Sequence, residues 1–188
     1  MVVVRIEPSY EEVKQIYQEY MTTIRLDFEN GALLYKDIPI ILSRAALLYN
    51  IFTEMYNLLG ESVIAIMHRI GKPYGESFYK IVSESFKMAG IEGSIENHYR
   101  YICAETASIG WGRIAIEDDG NAVKIICKRG FPVGRLSVAE GKVSTYPMDA
   151  YFLGYFEGYL SLLHRKDMKG REVECVGKGD ERCLMVFE

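Results

Sequence analysis

Residues 146–188 read YPMDAYFLGYFEGYLSLLHRKDMKGREVECVGKGDERCLMVFE, and this stretch decides the fold. Pro147 opens a helix that the spacing carries to about Leu163. Tyr151, Phe152, Tyr155, Phe156 and Tyr159 cover more than one of its faces, which suits core or dimer packing first and pocket lining second. Ala150, Gly154 and Gly158 form a stripe of small residues, which lets a helix press against a neighbour's backbone. "REVECVG" and "ERCLMVFE" then read as a closing hairpin around Gly177-Lys178-Gly179-Asp180.

The two hairpin cysteines, Cys175 and Cys183, admit three readings: a metal clip, a cross-strand disulfide, or a pair of buried free thiols. Zinc takes thiolate, imidazole and carboxylate ligands in tetrahedral geometry, so two thiolates need further donors. Glu172, Glu174, Asp149, Asp180 and Glu181 are close enough in sequence to serve. Side chains alternate along a strand, which puts Glu172 and Cys175 on opposite faces. Their joint ligation of one ion requires a bulge or bend between them.

Outward from this stretch the chain is mainly helical and then changes period. Ser9 and Glu12 have capping-box spacing, and Val13, Ile16, Tyr17, Tyr20, Met21 and Ile24 continue an apolar helical face. Asn30-Gly31 between "IRLDFE" and "ALLYK" signals a hairpin. Helices are expected over 44–59 with Ser43 as cap and Gly60 as stop, over 62–70 ending at Gly71, from Tyr74 to Gly90, and from Ser94 to about Ile109. "WGRIAIED" and "AVKIICKR" alternate around Asp119-Gly120-Asn121 as a second hairpin, and residues 131–146 read as an ordered loop. Helices followed by antiparallel strands with one helix inserted make an α+β fold, with helices on a twisted antiparallel sheet of about four strands.

The 188 residues suit a single domain, 1–188, in which 1–29 form an N-terminal helix and strand extension. A net charge of −4 speaks against a general nucleic-acid surface, no apolar run reaches membrane-span length, and no signal peptide is readable at Met1. The expected location is therefore cytoplasmic, where thiols stay reduced. No phosphate loop, dinucleotide fingerprint, nucleophile elbow or zinc-protease motif occurs, so no catalytic residue is assigned.

The closing segment resembles the 4-vinyl-reductase-type hydrocarbon-binding domain, whose end pattern is a G-x3-G helix, an E-x2-C strand and a second Cys after a Gly-containing turn. Gly154, Gly158, Glu172, Cys175 and Cys183 match it. Gly60, Gly71 and Gly75 in "LLGESVIAIMHRIGKPYGESF" and Gly110-Trp111-Gly112 in "IGWGRIAIED" are similar to its earlier turns, so the resemblance spans roughly 30–188. It implies a fold shared with the small subunits of the TRAPP vesicle-tethering complex and with the sensor domains of aromatic-responsive bacterial activators, often as a homodimer. It also implies a structural zinc held by Glu172, Cys175 and Cys183, with Asp149 at the position where the family has a Cys.

The function implied is binding of a small hydrophobic or aromatic ligand, with output through a dimer arrangement or a separate signalling partner. His98, Tyr101, Trp111 and Tyr155 are the candidate pocket residues. Two other classes stay open: an enzyme or accessory factor in vinyl reduction of a tetrapyrrole, and a scaffold without a ligand.

Overall fold

Period-2 segments become strands and period-3.6 segments become helices, with three differences that matter for function. In the computed structural model, which describes residues 4–188, the order is β1 (Val4–Ile6), α1 (Tyr10–Thr23), β2 (Ile24–Asp27), β3 (Ala32–Tyr35), β4 (Ile38–Ile40), α2 (Ala45–Leu59), α3 (Ser62–Ala89), α4 (Ile95–Ser108), β5 (Ile114–Asp118), β6 (Val123–Cys127), α5 (Pro132–Ala139), α6 (Ala150–His164), β7 (Gly170–Glu174) and β8 (Cys183–Phe187). The Ser9–Glu12 capping box forms as expected, and Gly90 ends α3 in the left-handed conformation.

The main sheet is antiparallel with order β1-β5-β6-β8-β7. The two hairpins expected from sequence supply its four contiguous strands, and β1 adds an edge, pairing Arg5 with Glu117 both in register and as an ion pair. A separate three-stranded sheet, β2-β3-β4, carries the Asn30-Gly31 turn. Its second turn uses Lys36 and Asp37 at positive φ, a conformation that sequence patterns assign to Gly or Asn.

The first difference concerns α3. Two helices are expected on either side of Gly71, yet one helix runs through Gly71, Pro73 and Gly75. Gly71 and Gly75 are contact points, not stops. A methyl group at Gly75 would lie 2.8 Å from the carbonyl carbon of Tyr155, and one at Gly71 would lie 2.9 Å from the amide nitrogen of the same residue. In return, methyls at Gly154 and Gly158 would meet the His68 and Lys72 carbonyls, 2.9 and 3.0 Å from their carbons. Two small-residue stripes thus bring α3 and α6 backbone to backbone. Pro73 and Arg69, whose carbonyl loses its helical donor, are both exposed.

The second difference is α5, a helix inside the stretch expected to be loop, with Pro132 at its first turn. The third is the start of α6, at Ala150 with Asp149 as its N-cap residue, three residues after Pro147. Nearly every residue of α6 from Ala150 to Leu160 is buried, so it is the central helix, with α3 on one flank and β7 on another. Glu157 fastens this junction. Its buried carboxylate accepts from Lys72 Nζ at 3.0 Å and from the Gly170 amide at 2.8 Å, and lies 3.2 Å from His68 Nε2. Burial opposes its charge, but the Gly170 and Lys72 hydrogen bonds hold it below the usual carboxylate range.

Gly75→Ala is expected to destabilise the protein by about 3 kcal/mol in urea unfolding, because neither backbone can move away without unpacking α6. A loss within the ±0.5 kcal/mol of ordinary surface changes would show that the crossing is looser than described.

Candidate functional site

Two buried clusters sit on α6, a polar one at its N-terminus and an aromatic one along its middle. At the N-terminus, ligand atoms of Asp149, Glu172, Cys175 and Cys183 all lie within 4.8 Å of one another. The bulge that strand parity demands is present: the β7–β8 register slips between Glu172, opposite Met185, and Glu174, opposite Leu184. Beyond it, Cys175 begins a short 3-10 turn (Val176–Lys178) fixed by Asp180, whose carboxylate accepts the Cys175 amide at 2.7 Å. Gly134 of α5 and Gly177 pack together above Asp149, where a methyl on Gly134 would stand 3.0 Å from the Gly177 nitrogen and 3.6 Å from Asp149 Oδ2.

Asp149 is fully buried, and its Oδ2 accepts from Cys183 Sγ at 2.9 Å and Cys175 Sγ at 3.7 Å. Asp149 Oδ1 and both Glu172 carboxylate oxygens are buried without a hydrogen-bond partner. Burial, and then the neighbouring Cys175 charge, pushes Asp149 up; burial, and then Asp149, does the same to Glu172. The neighbouring Cys183 thiol draws Cys175 down, and Cys175 in turn, together with burial, pushes Cys183 up. Two carboxylates and two thiols so close together, with three carboxylate oxygens unpartnered, have the composition of a four-ligand metal site. The other acids named from sequence are placed elsewhere: Glu174 pairs with Arg182 at 2.7 Å, Asp180 orders the turn, and Glu181 is exposed. All four cysteines are buried free thiols, so the disulfide reading does not hold.

The second cluster is aromatic and lies between α3, α4 and α6. His98 is buried, with Nδ1 2.7 Å from the Tyr159 hydroxyl and its ring stacked on Tyr79 at 5.2 Å. Tyr101 meets Phe86 at 5.6 Å and Phe78 at 6.4 Å. Phe78 continues to Tyr155 at 6.0 Å, and Tyr155 to Trp111 at 5.0 Å. The four residues singled out from sequence thus belong to one connected set of rings. Tyr101 and Phe86 also line an open groove of about 340 Å³ between α1, α4 and the end of α3. Burial lowers the pKa of His98, so the imidazole is the neutral form at pH 7.

Sequence reading missed Glu105. It lies four residues after Tyr101 and seven after His98, on the same face of α4, and is only 3% exposed. The Tyr20 hydroxyl donates to its Oε1 at 3.2 Å, while Oε2 is buried without a partner. Burial raises its pKa to about 8. The helical spacing to His98 was the available signal, but an acid on a polar helix otherwise reads as solvated.

Residues 136–188 match the V4R domain. The matched V4R segment contains α6, the closing hairpin and the four-residue polar cluster, and so bears out the resemblance read from the sequence. No curated protein sequence matches the chain. Among solved structures, the phenol-responsive sensory domain of the transcription activator PoxR, with phenol, is similar at a TM-score of 0.74 and 18% identity, covering 93% of this chain and 89% of that one. A trafficking protein particle complex subunit 3 from Naegleria fowleri, covalently bound to palmitic acid, is similar at 0.56 and 12% identity, covering 77% and 91%. At these identities the likeness shows the fold: the α+β architecture beyond the V4R segment is the one those two proteins share. Among the described residues, no helix is long and apolar enough to cross a membrane.

Because Glu105 is pushed up from its ordinary value, the stability it allows is complete below about pH 4.5 and is lost as pH rises through about 8. Glu105→Gln removes that ionisation and should stabilise the protein by about 2 kcal/mol at pH 8.5, with little change at pH 5. Urea unfolding at the two pH values checks this, and an equal effect at both would contradict it.

Proposed function

We propose that this chain is a small-ligand-binding, sensor-type domain that takes a hydrophobic or aromatic molecule into the ring cluster between α3, α4 and α6. The observation that carries the reading is the placement of His98, Tyr101, Trp111 and Tyr155 in one set of rings, with polar groups inside it. Binding sites of this kind combine apolar walls with a few convergent polar groups. The V4R match and the fold shared with a phenol-responsive sensory domain support it. The groove beside Tyr101 and Phe86 is the proposed approach.

A structural zinc is the proposed partner of the polar cluster at the start of α6. The residues fit it by chemistry: two sulfurs and two carboxylates complete four-coordination, and the unpartnered Asp149 and Glu172 oxygens gain a cation to neutralise them. Asp149, Glu172, Cys175 and Cys183 would hold the ion, which would tie α6 to the closing hairpin without taking part in a reaction. The exposed stripe Leu47, Ile51 and Leu58 on α2 supports a homodimer or a separate partner as the route of output. Ligand occupancy would act by favouring one of two such arrangements.

Trp111 is the single tryptophan and sits against Tyr155, so its emission should report occupancy. Titration with phenol should change that emission saturably, and Tyr155→Ala should weaken the apparent affinity about tenfold. A flat response up to saturating phenol, with no small aromatic recovered after denaturing extraction, would count against the reading. Metal analysis should find about one zinc per chain, absent in Cys175→Ser and Cys183→Ser. Asp149→Ala should weaken retention and Asp149→Cys should strengthen it. A stoichiometry near zero with freely titratable thiols would remove the metal from the scheme.

A further inference from the structure

We propose that the ligand of this domain is an aromatic or hydrophobic amine, held through its ammonium group by the unpartnered carboxylate oxygen of Glu105. This rests on the reading of the ring cluster as the binding site and adds the chemical class of what enters it. The motive is geometric. Positions 98, 101 and 105 fall on one face of α4, so Glu105 projects from the same side as His98 and Tyr101, one turn further along. One carboxylate oxygen is held by Tyr20 from α1, and the other has no donor.

The Tyr20 hydroxyl from α1 reaches this carboxyl directly, and tyrosines of α3, α4 and α6 lie near enough to feel its ionisation. Its charge acts on Tyr20 of α1, Tyr74 of α3, Tyr101 of α4, and Tyr155 and Tyr159 of α6. The interactions that set its own pKa are burial and the Tyr20 hydrogen bond, and no basic side chain among the described residues contributes. A buried carboxyl with one open acceptor is costly, and the group that relieves it most is a cationic donor. Aromatic ring faces attract cations as well, so rings and carboxylate favour the same end of such a ligand. An alcohol or phenol can fill the open acceptor, but it does not favour the ionised carboxylate, whereas an ammonium group does so as the carboxyl proton leaves to solvent. A plain hydrocarbon does neither. The body of the amine would lie among Phe78, Trp111 and Tyr155.

Three probes of similar size separate the possibilities: 2-phenylethylamine, 2-phenylethanol and ethylbenzene, titrated against the full chain with Trp111 emission or calorimetry as readout. The amine should bind wild type at least about tenfold tighter than either neutral probe, the scale of one hydrogen bond to a charged group. Glu105→Gln, which keeps the shape and removes the ionisable group, should bring the amine down to the level of the alcohol and leave the alcohol within about twofold. Alcohol or hydrocarbon binding as tight as the amine in wild type would overturn the assignment of ligand class while leaving the site in place. So would an amine affinity unchanged in Glu105→Gln. Failure of all three probes would overturn the binding reading itself. The wild-type series is decisive alone, whether or not the variant folds.

Discussion

Everything in this molecule is arranged around the contact between α3 and α6, where four glycines let two helices meet backbone to backbone. A side chain at any of Gly71, Gly75, Gly154 or Gly158 would collide with a main-chain carbonyl or amide of the other helix, and main chain cannot swing aside as a side chain can. Close approach has a second effect. It leaves the large residues on the flanks, where Phe78, Tyr79 and Tyr159 meet Tyr101 and His98 of α4. The ring cluster is therefore a product of the glycines. Glu157, reaching Lys72, His68 and Gly170 together, sets how far along each other the helices stand.

The same helix organises the polar cluster at its other end. Asp149 stands at the N-cap position of α6 without a side-chain capping bond and is completely buried, which an acid does not tolerate without compensation. Its neighbours are two thiols and a second carboxyl brought round by the bulge in β7. A regular strand would have turned Glu172 away from Cys175. One extra residue, Val173, left out on the exposed side, is what lets four donors share a centre.

Much of this was legible in the amino-acid order, for identifiable reasons. Hairpins, caps and the period of each segment are local properties, and Ser9, Gly90 and the alternation of β5 and β6 read correctly because local chemistry fixes them. Strand parity required a bulge between Glu172 and Cys175 if the two were to share one centre, and the register does slip there. What failed is equally physical. Gly71 looks like a helix stop to any local rule, because the partner that makes it a contact is about eighty residues away. α5 was hidden by its shortness, and Lys36-Asp37 by the rarity of non-glycine residues at positive φ. Glu105 went unnoticed since burial, not residue type, makes it unusual.

The helices around the ring cluster are not held alike. α3 and α6 are locked by main-chain contact, and α4 buries half of its residues. α1 buries none fully, and it is fastened to the rest by surface ion pairs such as Glu12–Arg100 and by the Tyr20–Glu105 hydrogen bond. Opening free energy follows buried contact, so the first wall to part is α1 and not the α3–α6 pair. The molecule thus has a loosely held side and a locked side, and the Tyr20 latch that joins α1 to the interior ends on a carboxyl that has an acceptor to spare.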